Sequence, residues 1–486
     1  MTRWQIGLVI GYLALGVQLA GLAQSPVNRQ HSETLLGPFP PEVYDSARIS
    51  PDGRHLAHVA NVENGQAVML DGSRQPVYDG VDALEFSPNS RRLAYAARRG
   101  QAWYLVVDGR EQGPYRRVGP PVFSSDSEHL ACVVLLEDDR RAVIVDGQAG
   151  SPCDLVFEGE LVFSPDSQRL AYGIQKQGQW WVVEVPVPEA VSSPGSEPAD
   201  GGPSELPSAD KTTPREYGPY DFIGSATGIR FSPDGARLAF AGLLSGKWSV
   251  VLNGETEATF DNLGNLAFSP DGQRLAYAAQ SAGKWQLVVD GERQKAYSSI
   301  ADESITWSPN SVRLAYAAQA GKTWLLVVDG KEGKPYDDIG EIKFSRDGRS
   351  LAYVAKSGAA EMVVLNGQEE RPFDRIGSGT LEFSPGGKLA YIANTGNVSF
   401  AVVGGKRKPR YDLVGYLTFT PDGSRTVYIA VRGDEAFTVV DDQEAAHRYE
   451  GVWNVRGRKL LFDTRRRFHY MAVKAGSMYL VEEEFE

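Results

Sequence analysis

One phrase, F-S-P-D-G-x-R-L-A-Y, returns along nearly the whole chain and limits what it can fold into. The residue that opens the phrase is Ile49, Phe86, Phe123, Phe163, Phe231, Phe268, Trp307, Phe344, Phe383, Phe419 and, in a degenerate copy, Trp453. The gaps between neighbours are 37, 37, 40, 68, 37, 39, 37, 39, 36 and 34 residues. Two further phrases recur between copies in a constant order, W-x-L-V-V-D-G (Trp285 to Gly291) and Y-D-x-I-G (Tyr336 to Gly340). A fixed period of this size is the mark of a repeat architecture, in which each unit buries its apolar surface against the next.

Each copy reads as four short strands. The first ends at the opening aromatic, the second is R-L-A-Y-A-A, the third is the W-x-L-V-V run, and the fourth carries the tyrosine of Y-D. Asp-Gly or Asn-Gly closes the third strand at Asp108-Gly109, Asn253-Gly254, Asp290-Gly291, Asp329-Gly330 and Asn366-Gly367. That dipeptide suits a tight hairpin whose central residues need positive φ. Helical periodicity is missing from the array, so the chain reads as all-β. Eleven four-stranded units suggest β-propeller blades. A ring of 4 to 8 blades is usual, so two rings are the first expectation and one large ring the alternative. Strand-like ends at Pro41 to Tyr44 and Met478 to Glu482 could complete a shared blade.

The S-P-D-G-x-R-L-A-Y phrase resembles the repeat of TolB-like, WD-like propellers of bacterial exported proteins and of the N-terminal halves of some prolyl peptidases. The resemblance runs from about residue 38 to the end. It implies a propeller fold and says little about function, because such repeats serve unrelated tasks.

Outside the array, Arg3 followed by an apolar run from Ile6 to Leu22 and by Gly21-Leu22-Ala23 reads as a signal peptide over 1–23, with Gln24 as the new N-terminus. An uncleaved membrane anchor is the alternative. Residues 24–37 read as a linker and 38–486 as the repeat array. The stretch 186–215, rich in Pro, Ser and Gly, explains the 68-residue gap and reads as a disordered insertion within one unit.

The bulk chemistry narrows the function. Net charge is −12, and no basic cluster is longer than Arg465-Arg466-Arg467, so the basic footprint of a nucleic-acid partner is missing. The acidic end, residues 481–486, reads as a solvated terminus. The recurring acid invites a catalytic reading, but it occurs as Asp52, Asn89, Asp126, Asp166, Asp234, Asp271, Asn310, Asp347 and Asp422. Asn replaces Asp twice with no other change, which a general acid would not tolerate, so the residue reads as turn chemistry. Trp103, Trp180, Trp248, Trp285 and Trp324 read as packing between blades. The six histidines (His31, His55, His58, His129, His447 and His469) form no metal-ligand spacing, and no nucleophile elbow or phosphate loop is spelled.

The only two cysteines stand where other units have aromatics, Cys132 in L-A-C and Cys153 in P-C-D. A disulfide between them is one expectation and a pair of buried thiols the other. No catalytic, cofactor or metal residue is identified, and no cofactor is expected. The expected function is an exported, periplasmic or secreted scaffold that binds an envelope or extracellular protein, peptide or glycan. A propeller-type hydrolase or lyase acting on glycans or peptides is the alternative. Between the two ends of each blade, the hairpin loops joining the second and third strands vary more (Arg98-Arg99-Gly100, Glu137-Asp138-Asp139, Lys356-Ser357-Gly358) and are the better candidates for binding.

Overall fold

The computed structural model describes residues 28–157, 161–187, 213–224, 228–453 and 460–486. The expected signal peptide, 1–23, lies outside them, as does 188–212 of the expected insertion. The ends of that insertion are strands of one sheet, Gln179–Pro186 and Arg215–Tyr220.

The chain is all-β, with eleven sheets of β-propeller-blade form. Each is a four-stranded antiparallel meander, and in several the first strand is split into two short pieces. Blades 1 to 7 span residues 48–78, 80–115, 117–149, 155–220, 222–260, 262–297 and 299–336. Blades 8 to 10 span 338–369, 375–407 and 413–444, and blade 11 combines 451–485 with 29–38. The meander follows from the sequence period. Alternate residues of R-L-A-Y-A-A point to opposite faces of the sheet, and both faces are buried, as the sequence Leu275 to Ala279 shows at 2% exposure or less.

The blades group into two compact units. Residues 43–336 hold blades 1 to 7, and residues 337–486 with the N-terminal segment up to Glu42 hold blades 8 to 11. Within the first unit, separate hydrophobic clusters join blades 1 and 2, 2 and 3, 3 and 4, 4 and 5, 5 and 6, and 6 and 7. Within the second, they join blades 8 and 9, 9 and 10, and 10 and 11. Among the described residues no core cluster joins blade 7 to blade 1, or blade 11 to blade 8. On the described residues, neither unit closes on itself through a core cluster, which corrects the expectation of two rings.

Blade 11 is shared by the two chain ends, as expected, with its C-terminal strand at Ser477–Phe485 but its N-terminal strand displaced. Its outer strand is Arg29–Pro38, most of the segment read as a linker, whereas Pro41–Val43 forms a 3-10 turn. That strand runs antiparallel to Ser477–Phe485, from Arg29 opposite Phe485 to Pro38 opposite Ser477. The acidic terminus is therefore structural rather than solvated: Val481, Glu483 and Phe485 are buried at 0, 1 and 2% exposure.

Candidate functional site

The S-P-D-G turn is built around its serine, not its acid. Ser269 is fully buried; its hydroxyl donates to Asp271 Oδ1 at 2.5 Å and accepts from the Arg274 N–H at 3.0 Å. Asp271 Oδ1 in turn accepts from the Gln273 N–H at 3.0 Å. The same set recurs about Ser50, Ser124, Ser232, Ser345 and Thr420. With Asn, the geometry is unchanged: the Ser87 and Ser308 hydroxyls lie 2.8 and 2.7 Å from the Oδ1 of Asn89 and Asn310. The serine hydroxyl, followed by the backbone N–H two residues on, holds Asp271 and Asp347 below the usual carboxylate range and Asp422, through Thr420, at about 2. Such carboxylates stay ionised and are spent on their own turn. Replacing Ser269 by Ala should cost about 1–2 kcal/mol, since it strands a backbone donor, while Asp271→Asn should stay within about 0.5 kcal/mol. Urea unfolding of the two variants measures both, and a reversed order would return the acid to candidacy.

Where serine replaces the turn glycine, it ties blades together. Ser90, Ser127, Ser167 and Ser311 sit at φ of 59 to 70°, a conformation that costs a non-glycine residue free energy. Each hydroxyl accepts from the preceding blade's turn: the N–H groups of Asp52, Asn89, Asp126 and Asp271 reach them at 2.9 to 3.2 Å. The arginine of R-L-A-Y has a parallel task that the phrase alone did not disclose. Arg274 pairs with Asp290 of its own blade at 2.8 Å and lies 4.9 Å from the Trp307 ring of the next. Arg92 does the same between Asp108 and Phe123. His55 and His129 stand at this arginine position and contact Asp71 and Asp146, each at 2.7 Å, so they complete the same turn.

Cys132 and Cys153 are free thiols. Cys132 shares one face of blade 3 with Leu130 and Val134, in the cluster between blades 2 and 3. Cys153 belongs to the cluster between blades 3 and 4, with Ala131 and Val143. The two sulfurs project from opposite faces of one sheet, so the disulfide expected as one alternative is not formed. Burial pushes the Cys132 thiol up to about 12 and the Cys153 thiol to about 11, which keeps both protonated and unreactive. The tryptophans Trp103, Trp180, Trp248 and Trp285 pack against the clusters between blades, as expected.

The opposite end of the blades carries the Tyr-Asp connections and the hairpins. Its aspartates are also consumed locally. Asp79, Asp221, Asp261 and Asp412 accept from hairpin N–H groups of Gly100, Ser245, Ala282 and Gly433 at 2.5 to 2.8 Å. Beside exposed hairpin charges such as Lys322 and Lys356, this end carries an apolar surface. At blades 4 and 5, Phe157, Trp180, Phe222 and Trp248 form a chain of edge-to-face contacts at 5.6 to 6.3 Å. Beside them Leu155, Phe222 and Leu244 are 37, 36 and 50% exposed, three of the six large apolar side chains so exposed among the described residues.

No family model matches the chain, and no curated protein does. Solved structures with which it shares similarity include a eukaryotic initiation factor (TM-score 0.38, 13% identity, 67% of this chain and 86% of that one). TolB from Acinetobacter baumannii matches at a TM-score of 0.26 and 14% identity, over 67% of this chain and 79% of that one. The β-propeller domain of the Trilobed protease from Pyrococcus furiosus matches at 0.28 and 12%, over 60% and 94%. At these identities and scores, the likenesses bear on neither ligand nor chemistry.

The second unit holds the most concentrated set of buried polar groups, at the blade closed by the N-terminal strand. Glu483 accepts from the Tyr470 hydroxyl at 2.7 Å, from the Thr438 hydroxyl at 2.6 Å and from the Arg29 guanidinium, and it meets His447 Nε2 at 2.9 Å. His31 stacks on His447 with ring centroids 4.3 Å apart. Glu33 contacts the Tyr449 hydroxyl at 2.8 Å and Lys474 at 3.0 Å. Residues 29, 31 and 33 alternate along one strand and so face the same way. Burial works against ionisation of Glu483, but His447, Arg29 and Thr438 outweigh it and hold the carboxyl at about 2. No sequence signal pointed to this cluster, because its members come from strands more than 400 residues apart. With the Glu483 side chain fully enclosed, it is a latch for the strand rather than a place for substrate.

Proposed function

We propose that the chain is an exported, non-catalytic scaffold that binds a protein, peptide or glycan of the cell envelope or its surroundings through the hairpin end of blades 4 and 5. The observation that carries this reading is the exposed aromatic and aliphatic surface around Phe222 and Leu244. Aromatic rings at a surface supply large contact area at low entropic cost, and they stack equally on peptide side chains and on sugar faces. The repeat carboxylates support the same reading, since those of both blade ends are held by their own turns and hairpins.

The experiment is binding to an array of defined glycans and a peptide library, with the parent and a Phe222→Ser/Leu244→Ser variant side by side. The variant should bind its best ligand at least tenfold more weakly, on the scale of an aromatic hot spot. Equal binding by both would remove this surface from the proposal. Turnover of any member of the two panels would overturn the scaffold reading in favour of the hydrolase or lyase.

A further inference from the structure

The geometry points to an anion site between blades 8 and 9 that takes a phosphate group of two or more charges. A cavity of about 580 Å³ opens there, lined by Arg371, Lys406 and Arg407 with Phe373, Tyr391 and a single acid, Glu370. That volume lies within the range of small-ligand sites. Glu370 is engaged by the Tyr391 hydroxyl at 2.7 Å. Arg407 lies with its guanidinium 4.7 Å from the Phe373 ring and 5.0 Å from Phe400, which fixes its plane. Arg371, Lys406 and Arg407 are exposed and form no ion pair among the described residues. The neighbouring Lys408 is taken by Asp442 at 2.9 Å.

The repeat makes the departure visible. The turn into the fourth strand opens with Asp or Asn in blades 1 to 3, 5 to 8 and 10, and in most of these that side chain caps the second strand, as Asp290 Oδ1 accepts from the Leu275 N–H. In blade 9 the position is Gly404, and the following residues are Gly405, Lys406, Arg407, Lys408, Pro409 and Arg410. This turn holds four cations and no acid, where those of blades 6 and 7 hold two cations and one acid after Asp-Gly, in a chain whose net charge is −12. Three cations facing one carboxylate leave a positive surplus that a monovalent anion would not satisfy. Guanidinium forks also favour oxyanions that accept two hydrogen bonds at once, as phosphate does. The phosphate could belong to a free ester or to a lipid headgroup. This site is separate from the aromatic surface of blades 4 and 5, and the outcome of either experiment leaves the other standing.

Titration calorimetry with pyrophosphate and flotation with phosphatidylcholine vesicles carrying phosphatidic acid test the two sources. Saturable binding that weakens with added salt is expected in at least one arm. Arg371→Gln/Lys406→Gln should weaken it at least tenfold, leaving Arg407 and its aromatic packing in place. Arg349→Gln, which removes an 89% exposed cation elsewhere in the unit, should leave it unchanged. Binding in neither arm, equal binding by the double variant, or competition by acetate at equal concentration would overturn the assignment.

Discussion

Glu483→Gln should unfold at a much lower urea concentration than the parent and show a shallower acid limb in its pH profile. The glutamine keeps the shape but removes the charge that faces Arg29 and His447 in a closed site, and an unpaired buried cation costs about 3–5 kcal/mol. The sign of the pH effect follows from the direction of the shift. The folded carboxyl titrates at about 2, below its ordinary 4.5. Its contribution is therefore complete above about pH 4.5 and is lost as pH falls toward 2. The difference corresponds to about 3 kcal/mol. The groups around it are Arg29 and His31 from the N-terminal strand, Thr438 and His447 from blade 10 and its exit, and Tyr470 from within blade 11. Urea midpoints measured from pH 7 to pH 3 check this. A variant that matches the parent within 0.5 kcal/mol, or whose acid limb is as steep as the parent's, would show that the cluster holds nothing together.

Removing residues 1–38 should have the second-largest effect and a different signature. The deletion takes away the outer strand of blade 11, and with it the whole ladder opposite Ser477–Phe485. A sheet edge with Met478, Val481 and Phe485 behind it, all buried in the intact chain, would then face water, an arrangement that invites aggregation. Amide exchange should speed up across residues 467–485 and stay unchanged in blades 1 to 7. A synthetic peptide of residues 28–39 added in trans should restore protection. Unchanged exchange in blade 11 would mean that the strand is an ornament. An N-terminus at Gln24, as the signal reading expects, keeps the strand whole.

Much of the fold was legible because its determinants are short-range. Asp290-Gly291 sets a hairpin by its own φ preferences, and Asp290 is found at φ 50°. The S-P-D-G turn closes through bonds no more than five residues apart, which is why its recurrence identified structure rather than catalysis. Within the phrase the acid is marked by its charge, while the hydroxyl that organises the turn, Ser269 or its equivalents, carries no signal beyond being constant.

The cysteines show the limit of reading by position. Both depart from aromatic consensus in one blade, and that shared departure suggested a bond. Alternation along the strands sends Cys132 and Cys153 to opposite faces, and each finds its partners in a different neighbouring blade. The basic turn of blade 9 was spelled openly at 404–410, but only the packing of blade 8 beside it brings Lys406 and Arg407 together with Arg371 around one cavity.

By itself, the sequence determined the strand period, the turn chemistry, the number of blades and the all-β class, since each depends on residues near one another along the chain. Only the tertiary structure decided that neither unit closes on itself through a core cluster, that the segment completing blade 11 is Arg29–Pro38 rather than 41–44, and that Arg29 meets Glu483. Those outcomes rest on contacts through space between segments whose local sequences are indifferent to one another. Their free energy appears only once the blades have packed and water has left the groups between them.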